Sequence, residues 1–147
     1  MKALSPAIND PTTGVLALDQ VQRLLRTVGR RHLRGAVIAD ASGQPRVVLT
    51  RPDWEDFVTV SCHEIRMCGA SNVQIARRLR AMLESLIATL PEHRRPALEE
   101  ERRRLDLTIA TLYPIPEDLA LASQPDLQGL GGSPGARPSA TREGDAQ

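Results

Sequence analysis

Between Asn72 and Pro91, the residues Val73, Ala76, Leu79, Leu83, Leu86 and Leu90 recur at three- and four-residue steps, the spacing at which an α-helix presents a single face. Such a helix cannot bury its apolar face alone, so the chain must supply further surfaces of the same kind. Aromatic residues are only 2% of the 147, whereas hydrophobic residues reach 41%. The core must therefore be built from Leu, Ile, Val, Ala and Met, which favours helices packed on helices over a sheet sandwich. The expected fold is mainly α, a helical bundle of about four helices with one small β-hairpin. Residues 1–124 form the expected domain, with the hairpin near 36–49, and 125–147 are expected to be a disordered tail.

The other helices follow from their boundaries. Asp10 can accept from the free N–H groups of a first turn, and Pro11 fits the first helical position, so a helix is expected from Pro11. Its stripe is Val15, Leu18, Val21, Leu25 and Val28, widened by Leu16 and Leu24, and it closes at Gly29 before Arg30, Arg31 and His32. Two β-rich runs, Ala36–Ala39 and Arg46–Leu49, flank the turn-forming DASGQP and predict a hairpin. Pro52 and Asp53 open a second helix with Trp54, Phe57, Val58, Ser61, Ile65 and Cys68 on one side, ending at Gly69. Ser71 or Asn72 caps the third helix. Pro96 starts a fourth, with Leu98, Leu105, Ile109 and Leu112 inward and the EEERRR run outward. A short helical turn is expected over Glu117–Ala122. After Gln124 the chain turns to Gly, Ser, Pro, Ala and charge, a composition that buries too little apolar surface to order itself.

Charge and cysteine content narrow the function. The formal net charge is +1, which argues against a general nucleic-acid or membrane-surface binder. Lys2 is the only lysine, and so uniform an arginine bias reads as codon usage rather than phosphate recognition. The runs RRHLR and ARRLR still offer basic helix faces, to be weighed as solvated surface, as headgroup contacts near a membrane, or as a nucleic-acid face. Two cysteines do not make a disulfide framework, and a reducing compartment is the simpler reading. No run of apolar residues is long enough to span a bilayer, so the chain by itself reads as soluble and cytoplasmic.

No motif carries a reaction. Cys62 and Cys68 stand too far apart along a helix to share ligands at the usual i, i+4 spacing, and no second ligand cluster accompanies them. Buried thiols are the better reading, and neither metal nor cofactor is expected. His32, His63 and His93 fall in different elements, without a nucleophile elbow. GLGGSPG lacks the spacing and the flanking strand and helix of a phosphate loop. The residues to watch for ligand or ion binding are Asn9, Asp10, Asp19 and Glu64.

The ordered set ALSPAINDPTT, RPDWEDFV from Arg51, EIR from Glu64, GAS from Gly69, RRLRAMLE from Arg77 and PEDLALASQPDLQGLG from Pro116 resembles a bacterial family of predicted membrane proteins, domain of unknown function 2254. The positions that carry the resemblance are Ser5, Pro6, Asn9, Asp10, Pro11, Trp54, Glu55, Asp56, Arg66 and Gly69. Two positions depart from it: Ala7 replaces a typical glycine and Gly14 a typical alanine. The resemblance implies that several transmembrane helices precede this region in family members. The chain would then be the C-terminal part, on the cytoplasmic side of a bacterial inner membrane, serving interaction, assembly or regulation. A homo-oligomer is the expected partner state, with membrane attachment through the missing transmembrane region and no nucleic acid. The alternatives are a small enzyme or ligand-binding domain with a polar site near SPAINDP, and nucleic-acid binding through the basic helix faces.

Overall fold

In a computed structural model, residues 11–33, 36–49 and 51–127 are described. In chain order these form α1 (Pro11–Gly29), β1 (Ala36–Ala39), β2 (Pro45–Leu49), α2 (Trp54–Gly69), α3 (Val73–Thr89), a 3-10 turn (Glu92–Arg94), α4 (Arg95–Leu112) and α5 (Pro116–Ala122). The fold is mainly α, with one two-stranded antiparallel sheet among the described residues. Asp10, the expected cap of α1, lies outside the described residues together with Ser5, Pro6 and Asn9, as do residues 128–147 of the expected tail.

Local chemistry explains where the central helices start. Asp53 accepts from the Asp56 N–H at 2.8 Å and Asp56 returns the bond to the Asp53 N–H at 3.0 Å, a reciprocal box at the head of α2. Of the two candidate caps for α3, Asn72 takes the role, its Oδ1 accepting from Gln74 N at 3.0 Å and Ile75 N at 3.3 Å. Helix α4 begins at Arg95, one residue before Pro96, which sits in its first turn where a missing N–H costs nothing.

Helix α3 is the centre of the bundle, packing on α1, α4, α2 and α5. Its burial is accordingly wider than one stripe: Ile75, Arg77, Ala81 and Met82 are buried along with Ala76, Leu79, Leu83 and Leu86. The neighbouring helices each contribute one row, Val15, Leu18 and Leu25 from α1, Trp54, Val58 and Cys62 from α2, and Leu98, Leu105 and Ile109 from α4. Each fully buried Leu removes apolar surface worth about 1.5–3 kcal/mol.

Four expectations need correction. Leu16 and Leu24 were expected to widen the α1 stripe, but they are exposed, because α3 and α2 cover only the Val15–Leu18–Leu25 side. Cys62, not Cys68, is the buried thiol of α2; Cys68 is exposed. Leu112 is exposed at the end of α4. Within the EEERRR run Glu101 is buried, because it falls on the row of Leu98 and Leu105 at helical spacing.

Gly14 of α1 and Gly69 of α2 both meet Ile75 at the start of α3. A Cβ on Gly69 would lie 2.8 Å from Ile75 Cγ2, and one on Gly14 would run into the Cδ1 methyl of the same side chain. Glycine lets three helices converge on one isoleucine.

Candidate functional site

Buried charge is the feature of this bundle that helix packing alone does not explain. Along α2 the inward row runs Trp54, Val58, Cys62, Arg66 and Gly69, and along α4 it runs Leu98, Glu101, Leu105 and Ile109. Where the rows face one another, Arg66 Nε donates to Glu101 Oε1 at 2.8 Å. Arg66 is 8% exposed and Glu101 3%, so neither charge could be tolerated without the other. The remaining guanidinium donors are also engaged: one reaches Thr108 Oγ1 at 3.2 Å and another His63 Nδ1 at 3.1 Å. The second Glu101 oxygen lies 3.8 Å from Arg104.

Cys62 sits one turn before Arg66. Burial pushes its thiol up to about 12, and the negative charge of Glu101 adds to the effect against the opposing pull of Arg66. At neutral pH this sulfur is a neutral S–H, neither a nucleophile nor a ligand. Among the described residues, no three His, Cys, Asp or Glu side chains gather as a metal site would need. The cluster can hold two helices in register.

Two further polar contacts tie helices to α3. Arg78 grips Asp19 of α1, with Nε at 2.8 Å and Nη2 at 2.5 Å from the same carboxylate oxygen, and reaches Gln22 Oε1 at 2.8 Å. Two helical turns on, Ser85 Oγ accepts from Gln22 at 3.0 Å and from Arg26 at 3.2 Å. Past α5, the Asp126 N–H donates to Arg77 O at 3.1 Å while Arg77 Nε donates to Gln124 O at 3.2 Å.

A third locks the end of the bundle where α1 stops and α2 begins. Arg94 lies over the Trp54 ring at 5.5 Å and accepts, on its backbone oxygen, the indole N–H at 2.8 Å. Its guanidinium donates to Gly29 O at 3.3 Å and Arg31 O at 3.0 Å. A cation thus satisfies carbonyls at the C-terminal end of α1, where the helix dipole favours it.

Of the residues singled out by sequence, Asp19 and Glu64 are described, and they lie on different helices. Asp19 belongs to the α1–α3 contact, and Glu64 is exposed on α2. Asn9 and Asp10 fall outside the described residues, and the expected polar site near SPAINDP falls outside with them. Of the motif positions, Pro11 starts α1, Trp54 is core, Glu55 is exposed, Asp56 completes the α2 cap, Arg66 pairs with Glu101, and Gly69 admits Ile75. Sequence reasoning missed Glu101, Arg77 and Arg94. Glu101 could have been found, since its position continues the apolar row of α4; Arg77 and Arg94 act through partners distant in the chain and carry no local signal.

A family profile described as "Predicted membrane protein (DUF2254)" matches residues 1–85, which takes in α1, the hairpin, α2 and most of α3. An uncharacterised protein of Mycobacterium bovis is 27% identical over 86 residues, and the same figures hold for uncharacterised proteins of two Mycobacterium tuberculosis strains. Each alignment covers 58% of this chain but 16% of the relative, so the chain matches only a small part of those longer proteins. No solved structure matches. No helix of the described residues is long and apolar enough to cross a membrane. With more than half its length matched by the family profile, the chain belongs to the DUF2254 family of predicted membrane proteins.

Proposed function

We propose that this chain is a non-catalytic interaction and assembly module of a multi-pass membrane protein, placed on the cytoplasmic side. The observation that carries the reading is the contrast between its interior and its surface. Inside, Arg66 is spent on Glu101 and Arg78 on Asp19. Outside, along the seam above the Arg66 pair, large apolar side chains stand in water. Val60 is 74% exposed and Met67 61%, on one side of α2, and Leu107 of α4 is 57% exposed beside Thr108. Met67 Sδ lies 3.6 Å from the Arg66 guanidinium that also reaches Thr108, so Met67 and the Thr108 turn flank the same seam. Exposed apolar side chains on two adjoining helices suit a contact site better than catalysis, and a symmetric second copy is the simplest cover for them.

Sedimentation velocity across a micromolar concentration series is expected to reveal a dimer that Met67→Glu with Leu107→Glu converts to monomer. A wild-type chain that stays monomeric throughout would remove the assembly role. Placement is tested by Cys68, the exposed thiol. A membrane-impermeant maleimide should label it in opened cells and not in intact spheroplasts; labelling in intact spheroplasts would put the module on the other side.

A further inference from the structure

We propose that the β1–β2 hairpin, with the arginines at its base, is a docking surface for an anionic lipid bilayer. The inference rests on the reading of the chain as a membrane-protein module and names the partner of one part of it. The hairpin stands apart from the bundle, since each strand packs on the other and makes no more than grazing contact with any helix. An isolated two-stranded hairpin is marginal in water and gains from a surface to lie on. Ile38 and Val47 are cross-strand partners and therefore share one face of the sheet. They are 53% and 45% exposed, an apolar pair with nothing over it among the described residues.

Charge supplies the second observation. Residues 30–51 contain five arginines against one acid, Asp40. Asp40 already neutralises Arg46, at 2.8 Å within the hairpin turn. Arg30 and Arg31 at the end of α1 and Arg51 just beyond β2 are exposed, and no carboxylate pairs with them among the described residues. Unpaired arginines thus bracket the hairpin along the chain, with an exposed apolar pair between them. That combination suits an interface where apolar side chains enter the headgroup boundary while guanidinium groups meet lipid phosphates. A nucleic acid would use the cations but not Ile38 and Val47, and aromatic side chains for base stacking are missing from the hairpin. A second copy pairing through the hairpin would bring the same unpaired arginines together.

The turn fits a rigid presenting element. Asp40 Oδ1 accepts from Ser42 N at 2.9 Å, Ser42 Oγ at 2.6 Å and Gln44 N at 3.1 Å. Gly43 adopts a φ of 82°, a conformation that favours glycine. The loop is held by its own bonds, leaving the strand pair free to meet a surface.

Vesicle co-sedimentation of the purified chain tests the proposal. Phosphatidylcholine vesicles containing phosphatidylglycerol should bind the protein, and pure phosphatidylcholine vesicles should not. Raising NaCl from about 0.1 M to about 1 M shortens the screening length from about 10 Å to about 3 Å and should release it. Replacing Arg30, Arg31 and Arg51 together by Gln should weaken binding by on the order of a hundredfold, roughly fivefold per arginine. Ile38→Ser with Val47→Ser should also weaken it, with helical circular dichroism unchanged. Arg103→Gln with Arg104→Gln on α4 should leave it as in the wild type. Equal binding to both vesicle types, insensitivity to the hairpin variants, or equal loss in the α4 variant would overturn the proposal. So would duplex DNA binding, or self-association that depends on Ile38 and Val47, in the absence of vesicle binding. Failure here would leave the Met67 and Leu107 dimer and the Cys68 labelling pattern intact, so it is separable from failure of the assembly reading.

Discussion

Arg66 and Glu101 show what a single position can carry in this molecule. With both side chains nearly sealed from water, removing one charge leaves the other buried without compensation, at a cost of about 3–5 kcal/mol. Glu101→Gln should lower the urea midpoint accordingly, whereas Arg66→Met combined with Glu101→Leu should recover most of the loss. A double variant as unstable as the single one would mean that Thr108 and His63, not the ion pair, dominate the contact. Glycine positions behave differently although they meet the same neighbour. At Gly14 the obstacle is the terminal methyl of Ile75, free to rotate away, and helix propensity favours alanine by about 1 kcal/mol. Gly14→Ala should therefore be close to neutral in thermal melts. At Gly69 the obstacle is the branched Cγ2, fixed near the backbone, and Gly69→Ala should cost about 1–3 kcal/mol.

At the scale of elements, caps and turns were the most legible features, because they depend on residues within a few positions of each other. Asn72 heads α3, and Asn72→Ala should cost about 1 kcal/mol, read as a lower melting temperature with the same unfolding cooperativity. The hairpin turn carries a pH dependence of its own. Hydrogen bonds from Ser42, Gln44 and Arg46 hold the Asp40 carboxyl down at about 2, from 3.8. A depressed carboxyl stabilises the turn above the unfolded value, and that contribution is lost as pH falls from about 4 through about 2. Amide protection at Ser42 and Gln44, taken relative to the unfolded-chain rate at each pH, should fall across that window while the helices remain protected. Asp40→Asn should flatten the dependence. What local patterning could not reveal was which apolar residues at a stripe's edge find a partner. Leu16, Leu24 and Leu112 have the right spacing, yet no helix covers them.

For the whole molecule, the order of the helices matters less than the position of α3, which every other helix touches. The described fold extends past α5 to Leu127, with Asp126 only 5% exposed and bonded to the backbone of α3. Because residues 128–147 are rich in Gly, Ser, Pro, Ala and charge and can bury little apolar surface, a chain ending at Leu127 should melt as the full chain does. One ending at Ala122 should melt lower, because Arg77, itself 3% exposed, loses the Gln124 carbonyl. Equal melting of all three chains in a differential scanning calorimeter would show that the segment beyond α5 adds nothing to the core.

The sequence by itself determined the helix starts, the hairpin and its turn, the aliphatic core and the class of fold, since each follows from periodicity or from hydrogen bonds closed within a few residues. The resemblance over the ordered motifs pointed to the family in the same way. Which partner each buried charge meets came from tertiary packing alone. Arg66 and Glu101 meet across 35 positions of chain, and Arg94 reaches the end of α1 across 65. In a helical surface pattern a buried ion pair and a solvated one are written with the same letters; the difference is whether a second helix lies over them. The same holds for Val60 and Met67, seven residues apart on α2, whose apolar spacing is that of a core and whose place in the bundle leaves them in water.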